Sequence, residues 1–310
     1  MRQNPNTKTV SLIGVPMEEG AGRPGCSMGP KALRIAGIAE SLEALGYRVE
    51  DRGDVIPQET SYIPGGTARE PARVAGFARA IAEAGEAVFR EARLPIFLGG
   101  DHALGFGSVG AALRHAEAEG RALHVIWLDA HPDFNTPAIS GSGNMHGMPA
   151  AWFCGEEGFE GLMDAPALPP SRFHAVGIRS VDPAEQELLT QRGVDVCDMP
   201  MIDEMGVGAI LRRILGEVER DDAMLHVSLD VDFIDPEVAP GVGTTVPGGA
   251  TFREAHLVME MIHRSGRLTS LDLVELNPFL DDRGKSARLM VELAASGFGR
   301  RIFDRPTQAA

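Results

Sequence analysis

The amino-acid sequence predicts an α/β protein, a three-layer αβα sandwich built around a doubly wound, mainly parallel sheet. Two observations support this prediction. Short apolar runs recur along the chain and alternate with longer segments whose apolar residues have helical spacing. Most of these runs are continuously apolar, as are parallel strands that helices cover on both faces. Because no linker or internal repeat divides the 310 residues, we expect residues 1–310 to form one domain.

Each predicted element follows from its local pattern. Six apolar runs are predicted to be strands: 10–15, 95–98, 123–128, 173–178, 224–229 and 268–276. Three segments with helical spacing are predicted to be helices: 68–93, 205–220 and 252–264. Thr251 and Glu254 have the spacing of a capping box at the start of the last helix. Stretches rich in glycine and proline form long loops, which are often functional in a compact domain: 20–30, 136–149 and 236–249.

The composition limits the partners and the compartment. The chain has 29 Lys and Arg residues and 44 Asp and Glu residues, which gives a net charge of −15. This negative charge argues against nucleic acid or an anionic membrane as a partner. No stretch approaches the roughly 18 apolar residues of a membrane-spanning helix. Cys26, Cys154 and Cys197 lie far apart without a CxxC pair, so neither a disulfide framework nor a zinc ribbon is indicated. We therefore expect a cytoplasmic protein.

Ionisable residues lie at the carboxyl ends of four of the predicted strands. The segments at these strand ends are Asp101-His102, Asp129-Ala-His131-Pro-Asp133, Asp230-Val-Asp232 and Glu275. Ligands of open α/β sheets bind at the carboxyl ends of the strands, so these side chains are expected to share one site. Alternate residues of an extended segment face the same side, and Asp-x-His-x-Asp therefore directs two carboxylates and an imidazole into one space.

This collection of side chains predicts a binuclear metal site. Carboxylates brought close together repel one another unless cations neutralise them. Oxygen-rich ligation with two imidazoles favours Mn²⁺ over the softer ligand sets typical of zinc. A single Asp-x-Asp is commonly a cap or a turn, and a single histidine is commonly packed or solvated. It is their joint occurrence at the ends of three apolar strands that favours a metal site.

Five segments resemble the successive signature motifs of the ureohydrolase superfamily. They are GVPMEEGAGRPGCSMGPKALR, GGDHALGFGS, WLDAHPDFNTP, HVSLDVDFIDPEVAPGVGTTVPGG and LDLVELNP, in order from Gly14 to Pro278. The resemblance covers nearly the whole chain and is far more specific than any one motif. It implies the fold of that family, a parallel sheet between layers of helices, as in arginases and the deacetylases of similar fold.

Carried over residue by residue, the resemblance implies two Mn²⁺ ions per subunit. The first would be held by His102, Asp129, Asp133 and Asp230. The second would be held by Asp129, His131, Asp230 and Asp232, with Asp129 and Asp230 bridging the two. The chain departs from the family at Ala103, where relatives commonly have Ser. Because this position is not a ligand, we expect it to change the surroundings of the metals without loss of metal.

The loop at 133–149 resembles the arginase version, DxNTP followed by SGNxHGMP. This resemblance implies L-arginine as the substrate, with L-ornithine and urea as products. Asn135, Ser142 and Asn144 would hydrogen-bond the α-carboxylate without competing charge, although such residues are also typical of ordinary turns. Asp182 and Glu185 would receive the α-ammonium group, and Asp182 would also serve as a helix cap.

The resemblance also implies roles in the reaction. A hydroxide shared by the two ions would attack the guanidinium carbon, and Asp133 would orient it. Glu275 would pair with the guanidinium and fix its plane. His146 would carry a proton to the departing amine, because the ordinary pKa of histidine lies near neutral pH. Thr244 would line the site.

Alternatives remain open at this stage. The loop at 133–149 argues against other ureohydrolases, such as those acting on agmatine or guanidinobutyrate. The doubled carboxylates disfavour a deacylase with a single zinc ion. A catalytically silent binding protein of the same fold would be expected to lack the second ion. The resemblance also suggests a homotrimer or a homohexamer.

Overall fold

The computed structural model describes residues 8–301, so residues 1–7 and 302–310 of the expected domain lie outside it. The described residues form eight strands: β1 (Thr9–Val15), β2 (Arg48–Asp54), β3 (Leu94–Gly99), β4 (Leu123–Leu128), β5 (Phe173–Ile178), β6 (Asp195–Asp198), β7 (Met224–Asp230) and β8 (Leu268–Val274). All neighbours pair in parallel in one sheet, in the order β2-β1-β3-β8-β7-β4-β5-β6.

Helices cover both faces of this sheet. Within the described range they are α1 (Gly29–Ile35), α2 (Ile38–Glu43), α3 (Pro71–Arg90), α4 (Gly105–Ala118), α5 (Pro149–Phe153), α6 (Pro183–Arg192), α7 (Met199–Met205), α8 (Val207–Arg220), α9 (Phe252–Ser265) and α10 (Lys285–Gly297). In β1, Leu12 joins the core under α1, α2 and α7 to α10, whereas Ile13 joins the core under α3 to α6. The two cores make three layers, which confirms the predicted fold class.

The central strands confirm the sequence prediction. The runs 123–128 and 173–178 are strands over the predicted residues, and the other four differ by at most two residues at an end. β2 and β6 have no predicted counterpart. Both lie at the edges of the sheet, and β2 reads RVEDRGD and is largely exposed. Edge strands commonly carry charges that block pairing with other chains, and such a strand lacks the apolar run that reveals a central strand.

The predicted helices are present with altered ends. The prediction 68–93 corresponds to α3, and 252–264 corresponds to α9. The prediction 205–220 corresponds to α8, whose start is shifted to Val207 because Gly206, with φ of +77°, separates α7 from α8. The capping box of α9 is confirmed, since the Thr251 N–H donates to Glu254 at 2.8 Å and the Glu254 N–H donates to the Thr251 hydroxyl at 3.3 Å. Across residues 8–301, no helix has both the length and the apolar character to cross a membrane.

Candidate active site

The carboxyl ends of four neighbouring strands enclose a cavity at one edge of the sheet. β3, β8, β7 and β4 lie side by side and run in parallel, so the residues that follow them meet. The cavity has a volume of about 240 Å³. Every site residue predicted from the sequence lines it: His102, Asp129, His131, Asp133, Asn135, Ser142, Asn144, His146, Asp182, Glu185, Asp230, Asp232, Thr244 and Glu275.

Two of the residues that supply carboxylates to the cavity have a backbone conformation that residues other than glycine rarely adopt. The φ angle is +51° at Asp133 and +60° at Glu275, in the left-handed region. Positive φ at residues other than glycine is uncommon and concentrates in functional sites. The chain therefore turns sharply where these strands run into their loops, and both side chains point back into the cavity.

The first cluster of cavity side chains surrounds His102. The Nδ1 atom of His102 lies 2.9 Å from Asp129 Oδ2, 3.0 Å from Asp230 Oδ2 and 3.1 Å from Asp133 Oδ2. All four side chains are buried. The other ring nitrogen, Nε2, lies 2.8 Å from the hydroxyl of Ser228 on β7. Ser228 therefore fixes the ring so that Nδ1 faces the carboxylates.

The second cluster surrounds His131. Its Nδ1 lies 3.2 Å from Asp232 Oδ2 and 3.5 Å from Asp129 Oδ1. Asp129 thus presents one oxygen to each cluster. Two further contacts hold Asp232, since the Thr244 hydroxyl donates to Oδ2 at 2.9 Å and the Ala130 N–H donates to Oδ1 at 3.0 Å.

The two clusters fit divalent metal ions. Ligand atoms of His102, Asp129 and Asp230 lie within 4.8 Å of one another, and so do those of Asp129, His131 and Asp232. Among the described residues, His102 Nδ1 and Asp129 Oδ2 are buried without a hydrogen-bond partner, although they are 2.9 Å apart. An imidazole nitrogen and carboxylate oxygens that converge without hydrogen bonding are arranged as ligands are around an ion.

Crowding shifts the protonation of these side chains. Burial and the charge of Asp129 raise the pKa of Asp133 to about 6, and burial with the neighbouring carboxylates raises the pKa of Asp230. Burial alone would lower the pKa of His131, but Asp129 and Asp232 raise it to about 12. Without metal, the site at neutral pH therefore carries protons that an incoming cation must displace.

Metal binding is accordingly expected to release protons and to weaken as the pH falls. Because the pKa of His131 is raised to about 12, this ligand is protonated throughout the range from about pH 8 to about pH 6 and must release its proton to bind a metal ion. Asp133, with a pKa raised to about 6, gains a proton toward the lower end of this range. Titration calorimetry in buffers of different ionisation enthalpy measures the protons released. An affinity that is unchanged over this range, with no proton release, would contradict the assignment of these ligands.

Glu275 and His146 form a charged pair at the cavity wall. Glu275 Oε1 accepts the His102 N–H at 2.8 Å and lies 2.8 Å from His146 Nδ1, and Cys26 Sγ lies 3.5 Å from Oε2. Despite its burial, the pKa of Glu275 is lowered by His146, and Glu275 in turn raises the pKa of His146 to about 9. A buried, ionised carboxylate at this place is suited to pair with a cationic group.

The opposite side of the cavity carries mostly neutral polar groups. Asn135 Nδ2 donates to Asp182 Oδ2 at 3.4 Å, and the Asn144 N–H donates to the Ser142 hydroxyl at 3.1 Å. Glu185 accepts main-chain N–H groups at both oxygens, and burial raises its pKa to about 8. The carboxylate of Asp182 is therefore better placed than that of Glu185 to pair with a cation.

Several organising residues had no role in the sequence prediction. The buried Asp101 carboxylate accepts the N–H groups of Gly20 and Ala21 at 2.8 and 3.0 Å, and this holds the loop at 20–30 against the cavity. Asp101 directly precedes the predicted metal ligand His102, so its position in the sequence could have indicated a role in the site. Cys26 lies 249 residues from Glu275 in sequence, and no local pattern indicates their contact.

Comparison with known proteins agrees with this geometry. The profile of the Arginase family matches residues 8–299. The chain belongs to the arginase family. It is 52% identical to the arginase of Brucella melitensis over 302 residues, which is 96% of this chain and 98% of that protein. It is 49% identical to the arginase of Agrobacterium fabrum, covering 99% of this chain and 96% of that protein.

A solved structure of the arginase family has the same fold. The structure of the arginase from Bacillus caldovelox gives a TM-score of 0.88 at 38% identity, covering 96% of this chain and 100% of that one. Membership of the arginase family makes the chain a hydrolase of the ureohydrolase type. Its two groups of Asp and His are consistent with a metal-dependent enzyme of this family.

Proposed function

We propose that this enzyme hydrolyses the guanidinium group of L-arginine to give L-ornithine and urea. The proposal rests on one observation, which is that the two ends of the cavity carry different kinds of side chain. The buried end holds the two Asp and His clusters and Glu275, which suit a guanidinium and its attack. The more exposed end holds Asn135, Ser142, Asn144 and Asp182, which suit an α-carboxylate and an α-ammonium group.

The metal in this proposal is Mn²⁺, with two ions per subunit. One would be held by His102, Asp129, Asp133 and Asp230, and the other by Asp129, His131, Asp230 and Asp232. Bound there, the pair would supply a hydroxide at neutral pH by depressing the pKa of water. The oxygen-rich ligand set with two imidazoles supports Mn²⁺ over zinc.

The side chains of the cavity position the substrate and move its protons. Glu275 pairs with the guanidinium, and the His102 N–H, which donates to its Oε1 at 2.8 Å, helps to hold the carboxylate in place. Asp133 would accept a hydrogen bond from the hydroxide that the bound ions supply and would so orient it. His146, within reach of both Glu275 and the cavity, donates a proton to the departing ornithine amine.

The amino-acid end of the substrate is held by hydrogen bonds and one charge. Asn135, Ser142 and Asn144 donate to the α-carboxylate. Asp182 receives the α-ammonium group, and Glu185 supports it by fixing the main chain at Asp182. Thr244 holds the ligand Asp232 and forms part of the cavity wall.

We extend the proposal to the organisation of the protein. One continuous sheet within residues 8–301 supports the single domain predicted from the sequence. The free, buried thiols of Cys26, Cys154 and Cys197 support a reducing compartment such as the cytoplasm. The family resemblance supports a homotrimer or a homohexamer, which sedimentation of the purified protein would measure.

Urea release from L-arginine and agmatine, assayed in parallel, tests the proposal. Protein preincubated with Mn²⁺ is expected to release urea from L-arginine at least about 100-fold more efficiently than from agmatine, because agmatine lacks the carboxylate that Asn135 and Ser142 bind. A chelator should abolish the activity, and added Mn²⁺ should restore it. Preference for agmatine would overturn the roles of Asn135, Ser142 and Asp182, and urea release that survives complete metal removal would overturn the metal mechanism.

A further inference from the structure

Arg179 directly follows β5 and lies half-buried beside the second cluster. Its guanidinium donates to three main-chain carbonyls. Nη2 lies 2.5 Å from the Asp232 oxygen and 2.7 Å from the Val246 oxygen, Nε lies 3.1 Å from the same Val246 oxygen, and Nη1 lies 3.2 Å from the Gly177 oxygen. Within residues 8–301, all of its side-chain hydrogen bonds go to the main chain. This cation therefore joins three separate segments of the chain.

The segments joined by Arg179 meet at Asp232, a ligand of the second ion. Its carboxylate accepts the Thr244 hydroxyl at 2.9 Å, while its main-chain carbonyl accepts Arg179. Thr244 and Val246 belong to the loop at 236–249, and both line a cavity of about 520 Å³ that adjoins the first. The loop is thus fixed to one metal ligand at two points, by the Thr244 hydroxyl and by Arg179.

Two further features describe the surroundings of Arg179. The main-chain N–H of Arg179 donates to the Ala130 carbonyl at 2.9 Å, next to the shared ligand Asp129. Gly249 lies close to both the guanidinium and the main chain, since a Cβ at that position would lie 2.6 Å from Arg179 Nη2 and 2.6 Å from the Asp235 main-chain nitrogen. A planar guanidinium can bridge two carbonyls at once, which the compact ammonium of lysine does poorly.

We infer that Arg179 is a positioning residue for the second metal ion and for the cavity wall. By fixing the Asp232 main chain it sets where that carboxylate stands, and by fixing Val246 it sets where the loop at 236–249 stands. It acts through these residues and does not line the 240 Å³ cavity itself. Side chains that orient metal ligands commonly change metal affinity by about 10- to 100-fold when replaced. The inference rests on the proposed binuclear site.

The test is calorimetric titration of Mn²⁺ into metal-depleted wild type, Arg179→Met and Arg179→Lys. Methionine keeps the unbranched aliphatic part of the side chain, and lysine keeps the positive charge but lacks the planar guanidinium. Arg172→Met is the matched control, because Arg172 precedes the same strand and pairs with Asp221 at the opposite end. The expected result for Arg179→Met is about 10- to 100-fold weaker binding of one ion, with the other ion near wild-type affinity. Lysine should restore only part of the loss.

Kinetics at saturating Mn²⁺ give a second readout. If the cavity wall has moved, KM for L-arginine should rise by about five-fold or more in Arg179→Met, with a smaller change in kcat. Wild-type affinity for both ions together with wild-type KM in Arg179→Met would overturn the inference. Equal weakening in the Arg172→Met control would also overturn it. Because the titration needs no turnover, it stands even if the wild type releases no urea from L-arginine, which would refute only the proposed substrate.

Discussion

Glu275→Gln is expected to lower kcat/KM for L-arginine by about 10²- to 10³-fold while both metal ions stay bound. Glutamine has the shape of glutamate, so the amide oxygen can still accept the His102 N–H. The amide lacks the negative charge that pairs with the guanidinium, and it can present an NH₂ group to a cation. Losing one partner of a buried charged pair costs about 3–4 kcal/mol, which corresponds to this loss of rate.

Steady-state kinetics and metal analysis of the same preparation decide the outcome. Glu254→Gln is the matched control, because it makes the same chemical change in the capping box of α9, where glutamine also serves. The control should keep wild-type kinetics. Near wild-type turnover of L-arginine by Glu275→Gln would show that Glu275 is not the guanidinium partner. Loss of metal in Glu275→Gln would instead make it a residue that supports the ligands.

The carboxylate clusters were predictable because their parts are local. Asp129, His131 and Asp133 fall within five residues after an apolar strand, so all three reach the cavity. The left-handed backbone at Asp133 shows that this segment does not follow the extended alternation assumed from the sequence. What brings Asp129 to Asp230 is the parallel register of β4 and β7, in which Leu128 pairs with Leu229. No local pattern contains that register. The prediction that Asp129 and Asp230 share a site came instead from the rule that ligands bind at the carboxyl ends of parallel strands, and the family resemblance implied the same pairing.

The contacts that support the clusters were not predictable in this way. Arg179 and Val246 are 67 residues apart, and each looks ordinary in its own segment. The partner of an arginine donor here is a main-chain carbonyl, which every residue offers, so the sequence carries no complementary signal. Strand β2 was missed for a related reason. Its residues pair on one side only and remain largely exposed, so the backbone hydrogen bonds that define it leave no apolar pattern.

His146→Asn is expected to lower kcat by about 10²- to 10⁴-fold with little change in KM or in metal content. Asparagine can still hydrogen-bond Glu275 but cannot carry a proton at neutral pH, and a positioned general acid commonly contributes this much. Steady-state kinetics with metal analysis measures the split. His115→Asn is the matched control, since His115 stacks on Phe89 and lies outside the cavity. Unchanged turnover in His146→Asn would remove this residue from the mechanism.

The effects of Glu275→Gln and His146→Asn on turnover should not be additive, because His146 and Glu275 share one hydrogen bond of 2.8 Å. In the free enzyme each residue holds the other in its charged form, as the raised pKa of His146, about 9, and the lowered pKa of Glu275 show. When the guanidinium pairs with Glu275, a second positive charge stands beside His146 and weakens its hold on the proton. Substrate binding thereby prepares the acid that the departing amine needs. A double variant that loses as much as the product of the two single effects would show that the residues act independently and would contradict this coupling.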